Sequence, residues 1–317
     1  MFSSFVTAFG AVIPFFIYLG VGYLLVRSRQ ADAAFMNQMN RVSFNAFFPF
    51  MMFYNVYKVT PEALPSVKLG IGALLSLSFI LVVSLITVPR LVRENPRRGV
   101  IIQGLYRTNY LLYGTPLMLS IFGDKYAGTA GIMVMIVVTF FNITSVIVLE
   151  LFSGEGKVNL RDLPLNLAKN PLLQGCVIGL LFFMLGIHLP EFLEKPISAL
   201  ANIATPLSLI TLGGTLRFDA IRKNAGVLTR VLLIKMILIP SLALFFGYAV
   251  LGFRGAELFL YFVAFATPVA TSSYPMALNM GGDAELAGQI VFISTLVSLG
   301  TLFLFIFFMA QMGILMG

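Results

Sequence analysis

"TNYLLYGTPLMLSIFGD" (Thr108–Asp124) and "TPVATSSYPMALNMGGD" (Thr267–Asp283) are two copies of one membrane element. In each, a proline (Pro116, Pro275) follows small and polar residues and stands seven residues before a Gly-Asp pair, Gly123-Asp124 and Gly282-Asp283. A second matched pair lies upstream: Asn45 is four residues before Pro49, and Asn202 four before Pro206. The spacing repeats as well, with 67 residues from Pro49 to Pro116 and 69 from Pro206 to Pro275. Proline is only about 5% of average sequence, so chance does not readily produce this pattern. Duplicated, proline-interrupted apolar segments in corresponding halves point to the binding site of a secondary transporter.

The surrounding composition agrees. Hydrophobic residues make up 59% of the 317 and charged residues 11%, which predicts an all-α polytopic membrane protein. Ten apolar runs approach or exceed the ~20 residues that a bilayer span requires. They are 5–26, 41–57, 68–89, 99–122, 126–152, 171–188, 196–216, 225–251, 257–281 and 286–313. The first run has no basic n-region and is too long for a signal h-region, so it is expected to be retained.

The net charge of +8 does not indicate nucleic acid, because the basic residues occupy connecting loops. Arg27, Arg29, Arg41, Arg90, Arg93, Arg97, Arg98, Lys157, Arg161, Lys169, Arg217, Arg222, Lys223 and Arg230 follow odd-numbered spans. Lys58, Lys68, Lys125, Lys195 and Arg254 lie on the other side. Fourteen against five predicts cytoplasmic odd-numbered loops and extracytoplasmic termini.

The polar connection 153–170 divides the chain into a first half, 1–152, and a second, 171–317. Five spans per half is an odd number, so the second copy enters from the opposite side. The expected fold is a 5+5 inverted repeat in which spans 4 and 9 are discontinuous and cross at the midplane. Backbone freed by a proline is tolerated there only when it is buried in protein or lines a wet cavity. The alternative is that the prolines merely kink packed helices. The candidate contacts lie around the two prolines: Asn109, Tyr113, Gly114, Thr115 and Pro116 itself, and Thr271, Ser272, Ser273, Tyr274 and Pro275 itself. Asn45 and Asn142 join them. Asn142, Thr144, Ser145, Thr295, Ser298 and Thr301 either line a path or hydrogen-bond between helices.

All thirteen acidic residues fall in loops or near span ends, with Asp124, Glu150 and Asp283 nearest the core. A cation antiporter would need a carboxylate in mid-membrane. Two basic residues do lie inside spans, Arg107 and Lys235. Together with half-helix N-termini they suit an anionic solute. The competing readings are snorkelling to the surface or pairing with an acid such as Glu150. His188, the one histidine, ends span 6 as a surface residue, and Cys176, the one cysteine, is a packing residue. No cofactor and no metal site is expected, since there is no phosphate loop and no His/Cys cluster with ligand spacing.

"RTNYLLYGTPL" in span 4, "ATPVATSSYPMALNMGGDAELAG" and "STLVSLGT" in spans 9 and 10, and "LLIKMILIP" in span 8 resemble the auxin efflux carrier family. That family includes plant PIN-type carriers and bacterial organic-acid permeases. The resemblance implies a scaffold of spans 1, 2, 6 and 7, and a transport domain of spans 3–5 and 8–10. It further implies frequent homodimers and an elevator-like shift, with Pro116 and Pro275 as the crossover prolines and Asn109 as the span-4 contact. Thr271, Ser272 and Ser273 replace an asparagine-containing run common in relatives, and the central loop is about 18 residues. A small bacterial-type carboxylate is therefore expected as cargo rather than auxin, with lipid and a second copy as the other partners. The rival readings are a sodium-coupled symporter of bile-acid-transporter type, a membrane receptor that binds without translocating, and a membrane-embedded enzyme.

Overall fold

The computed structural model describes residues 2–58, 67–153 and 163–315, with side chains described except at 2–12, 124, 127, 163 and 218. Lys157 and Arg161 of the linker, and the side chain of Asp124, lie outside the described residues. Among the described residues the chain is all-helical. In order, the helices are α1 (Phe2–Arg27), α2 (Ala33–Val42), α3 (Phe48–Tyr57), α4 (Val67–Leu91), α5 (Asn95–Tyr106), α6 (Tyr110–Phe122), α7 (Ala127–Leu151) and α8 (Leu163–Lys169). They continue as α9 (Pro171–Met184), α10 (Glu191–Thr215), α11 (Phe218–Lys223), α12 (Ala225–Leu233), α13 (Ile239–Phe245), α14 (Gly255–Ala266), α15 (Ser273–Asn279) and α16 (Ala284–Gln311).

Among the described residues, five helices are long and apolar enough to cross a membrane: Val67–Leu91, Gly128–Leu151, Glu191–Thr215, Ala225–Val250 and Ala284–Gln311. On α4 the outward residues Val67, Ile71, Leu75, Phe79 and Ile86 are exposed. A helix this apolar on its exposed face has lipid, not water, as its solvent.

Prolines shape several of these helices. A π-helical turn, Ser43–Phe47, precedes Pro49 of α3, and another, Ile234–Leu238, precedes Pro240 of α13. A proline ring clashes with the carbonyl four residues back, and one extra residue in the turn relieves the clash without breaking the helix.

Both repeat segments are interrupted, but not at the prolines. Span 4 breaks at Arg107–Asn109, between α5 and α6, and span 9 breaks at 267–272, between α14 and α15. Pro275 sits in the first turn of α15, where no intrahelical donor is needed. Pro116 lies inside α6. The two gaps start within one residue of matching places: Arg107 is nine residues before Pro116, and Thr267 eight before Pro275, with a threonine eight residues before the proline in both copies. The gaps touch directly, because the Asn109 main-chain N–H donates to the Pro268 carbonyl at 2.7 Å. The Gly-Asp pairs close these segments. Gly123, at φ 83°, ends α6, while Asp283 caps α16 by accepting from the Leu286 N–H at 2.9 Å and lies 3.4 Å from Arg97.

The helices pack in two groups. α1 lies along α10 and α3 along α9, with α10 also against α3. In the other group α4 packs on α5, α6 on α7 and α14, α13 on α14, and α16 on α5 and α15. The first group is held at backbone distance by glycine. A methyl group on Gly179 of α9 would sit 2.6 Å from the Phe53 carbonyl oxygen, and Gly175, Gly22 and Gly213 abut the carbonyls of Pro49, Ile210 and Leu19. Small residues let membrane helices approach closely and gain dispersion energy where no hydrophobic drive exists between them.

Candidate functional site

Between the two groups lies a cavity of about 60 Å³, roughly twice the share of one water. One wall is the broken segments: Arg107, Thr108 and Asn109, the first turn of α6 at Leu111 and Leu112, and Ala270, Thr271 and Ser272 before α15. Val138, Phe141 and Asn142 of α7 form the floor, and Met51, Met52, Asn55 and Thr205 of α3 and α10 form the opposite wall. The N-terminal ends of α6 and α15 begin at this cavity, and the positive end of the α6 dipole makes its surroundings favourable to negative charge.

Arg107 is 2% exposed. Its guanidinium donates to Ser272 Oγ at 2.8 Å and to Asn142 Oδ1 at 3.3 Å, and it contacts Met276 Sδ. Among the described residues, Arg107 Nε and Asn142 Nδ2 have no hydrogen-bond partner. Glu150, the acid considered as its partner, instead accepts from Asn166 at 2.6 Å. A guanidinium with neither a carboxylate nor solvent is expensive to bury, and here it faces a cavity.

Lys235 goes elsewhere. It is fully buried in the π-helical turn, does not line the cavity, and donates to the Phe265 carbonyl at 3.3 Å. That carbonyl belongs to the last turn of α14, the negative end of the half-helix. Thr108 Oγ1 donates to the neighbouring Ala264 carbonyl at 3.1 Å and Thr267 Oγ1 to that of Val263 at 3.2 Å. Neither Arg107 nor Lys235 snorkels.

Of the other candidates, Asn109, Asn142, Thr271 and Ser272 line the cavity with Arg107. Tyr113 and Gly114 are buried within α6, with Gly114 against the Tyr110 ring; Thr115 and Pro116 lie on α6 away from the lining. Ser273 faces a small recess with Val100 and Gln103, and its Oγ has no partner among the described residues. Pro275 lies in the buried first turn of α15. Asn45 is exposed, its amide donating to the Arg41 carbonyl at 3.0 Å, and it is not part of the lining. His188 is exposed and Cys176 buried. The opposite wall carried no flag in the sequence: Met51, Met52 and Thr205 lie in apolar runs, and only Asn55 breaks the pattern.

A polar bridge crosses between the groups on the other side of the crossing. Asn279 Nδ2 donates to Asn40 Oδ1 at 3.2 Å, Asn40 Nδ2 to Thr211 Oγ1 at 3.3 Å, and the Tyr274 and Thr215 hydroxyls meet at 2.7 Å.

Apolar membrane-spanning helices, two interrupted helices touching at their gaps and a buried polar cavity beside them define a membrane transport protein. Residues 7–306 match the family described as "Membrane transport protein", and the chain belongs to that family, the auxin efflux carrier family that its motifs resemble. It is therefore a multi-pass membrane protein of a transporter family. It is 30% identical over 133 residues to an "Uncharacterized transporter" of Methanothermobacter thermautotrophicus, covering 42% of this chain and 43% of that protein. The matched stretch thus spans less than half of that relative.

Proposed function

We propose that this protein is a secondary carrier for a small organic anion bearing a carboxylate. The observation that carries the reading is Arg107, a buried guanidinium that has no acidic partner among the described residues and whose Nε faces no acceptor, beside Asn142 Nδ2, which likewise lacks an acceptor. An arriving carboxylate would accept from both and offset the cost of burying the charge. Asn109, Thr271 and Ser272 would hydrogen-bond the same solute.

The cavity accommodates a carboxylate head but little more, so the wall of α3 and α10 must move away for entry and release. An elevator-like shift of the α4–α7 and α12–α16 group along the α1, α3, α9 and α10 group does this. The 5+5 inverted repeat is supported by reciprocal pairing, with the first span of each half on the second of the other: α1 on α10 and α9 on α3. Extracytoplasmic termini follow from the loop charges, and on that orientation the Asn40–Thr211–Asn279 bridge seals the cytoplasmic side. A homodimer would form through the scaffold.

The test is uptake of labelled acetate, lactate, malonate and malate into proteoliposomes, with thermal shifts of purified protein against the same acids. Uptake of at least one, together with a matching shift, is expected; no uptake of any would overturn the reading. Asn109→Ala should abolish uptake while the purified protein keeps its melting temperature within a few degrees. Asn279→Ala should weaken the bridge by about 1 kcal/mol, a roughly fivefold population shift. Its readout is maleimide labelling from outside at Thr205→Cys in a Cys176→Ser background, which should slow several-fold.

A further inference from the structure

In broken-helix carriers a coupling cation is held by unwound carbonyls and by the C-terminal end of a half-helix. In this protein that position is the end of α14, and it is already occupied by protein donors. The carbonyls of Val263, Ala264, Phe265 and Pro268 accept, in turn, from Thr267 Oγ1, Thr108 Oγ1, Lys235 Nζ and the Asn109 N–H. One of these four donors is an amine, fully buried, without a carboxylate partner among the described ion pairs, and carried on a π-helical turn.

We propose that the Lys235 ammonium is a tethered cation standing where a coupling ion would sit, so that the carrier moves its anion without sodium. This rests on the carrier reading above. Three features converge on it. The negative end of α14 offers the field that favours a positive charge. The Phe265 carbonyl offers the direct acceptor. Among the described residues no Asp or Glu is buried, so the carboxylate that a sodium site ordinarily adds is absent from the surroundings of that carbonyl. The lysine stem enters from the helix preceding span 9, which fixes the charge to the group that would move. The charge therefore travels with the crossing in every cycle and needs no loading step.

The experiment compares proteoliposome uptake of labelled acetate, lactate, malonate and malate with sodium or N-methylglucamine outside, for the native protein and for Lys235→Met, Lys235→Ala and Lys235→Arg. Native uptake is expected to agree within twofold in the two media. Lys235→Met should fall at least tenfold in both, because its thioether fills the channel of the lysine stem and carries no charge. Lys235→Ala should fall equally in N-methylglucamine and regain a substantial part of its rate with sodium or ethylammonium, which can enter the vacated space. Its melting temperature should rise with the same cations. Native uptake that requires sodium overturns the proposal. So does a Lys235→Met or Lys235→Ala protein with native rates in N-methylglucamine, or a purified Lys235→Ala protein that no small cation restores. If neither neutral variant can be purified, the native sodium comparison and the rate of Lys235→Arg decide it, with a dead, well-folded arginine variant counting against. Native protein that transports none of the four acids in any medium counts against the carrier reading, not against this one.

Discussion

Arg107→Gln is expected to weaken carboxylate binding about a hundredfold, ~2.7 kcal/mol, while making the ligand-free protein melt a few degrees higher. The first effect is the loss of charge-assisted hydrogen bonds to a bound anion. The second follows because Arg107 is 2% exposed and its hydrogen-bond acceptors are neutral, Ser272 and Asn142. Replacing an uncompensated buried charge with a neutral amide of similar shape removes a desolvation cost. Opposite signs on binding and stability are the signature of a charge kept for a ligand. Arg107→Lys should not restore binding, since one ammonium cannot reproduce the planar fork that reaches Ser272, Asn142 and the cavity together. Calorimetric titration with the acid that gives the largest thermal shift, alongside a melting curve without ligand, reads both effects. Unaltered affinity with a lower melting temperature would make Arg107 a packing residue and remove the anion site.

Gly213→Val should cost about 3 kcal/mol or more and leave little monodisperse protein after detergent extraction. A side chain at Gly213 meets the main-chain carbonyl of Leu19, and backbone cannot rotate aside as a side chain can. Gly175→Val, against the Pro49 carbonyl, should behave alike at the other seam. Gly131→Ala and Gly300→Ala serve as controls: nothing lies within 4 Å of a methyl group at either position, so both should be neutral or slightly stabilising. Equal yields from all four variants would mean that α1 and α10 are not held at backbone distance.

Much of this arrangement was legible in the sequence because membrane solvation leaves few options. An apolar run in lipid must be helical, and two matched polar interruptions must be buried together. Arg107, Asn109, Asn142, Thr271 and Ser272 were readable as candidates for the same reason. The site of each break was not, because proline is the loudest local signal yet is tolerated in a first turn, as at Pro275. The quieter marker was the threonine that opens both copies, Thr108 and Thr267. The acceptor of Lys235 is a main-chain carbonyl, which has no residue type to announce it. The spacing of Asn45 to Pro49 places it with the site, but the π-helical turn Ser43–Phe47 inserts an extra residue and changes which face that spacing selects. Met51 and Met52 are indistinguishable in sequence from lipid-facing bulk.

The contact between Asn109 and Pro268 is made by an amide hydrogen and a carbonyl, and so is indifferent to the identity of the groups hanging from the chain. On the proposed carrier reading, substitutions at Thr271, Ser272 or Asn142 are expected to retune cargo preference without loosening the knot that those residues surround. Directed evolution of selectivity should find a permissive neighbourhood there, with one forbidden letter: an imino acid at 109 would delete the hydrogen on which the knot is tied.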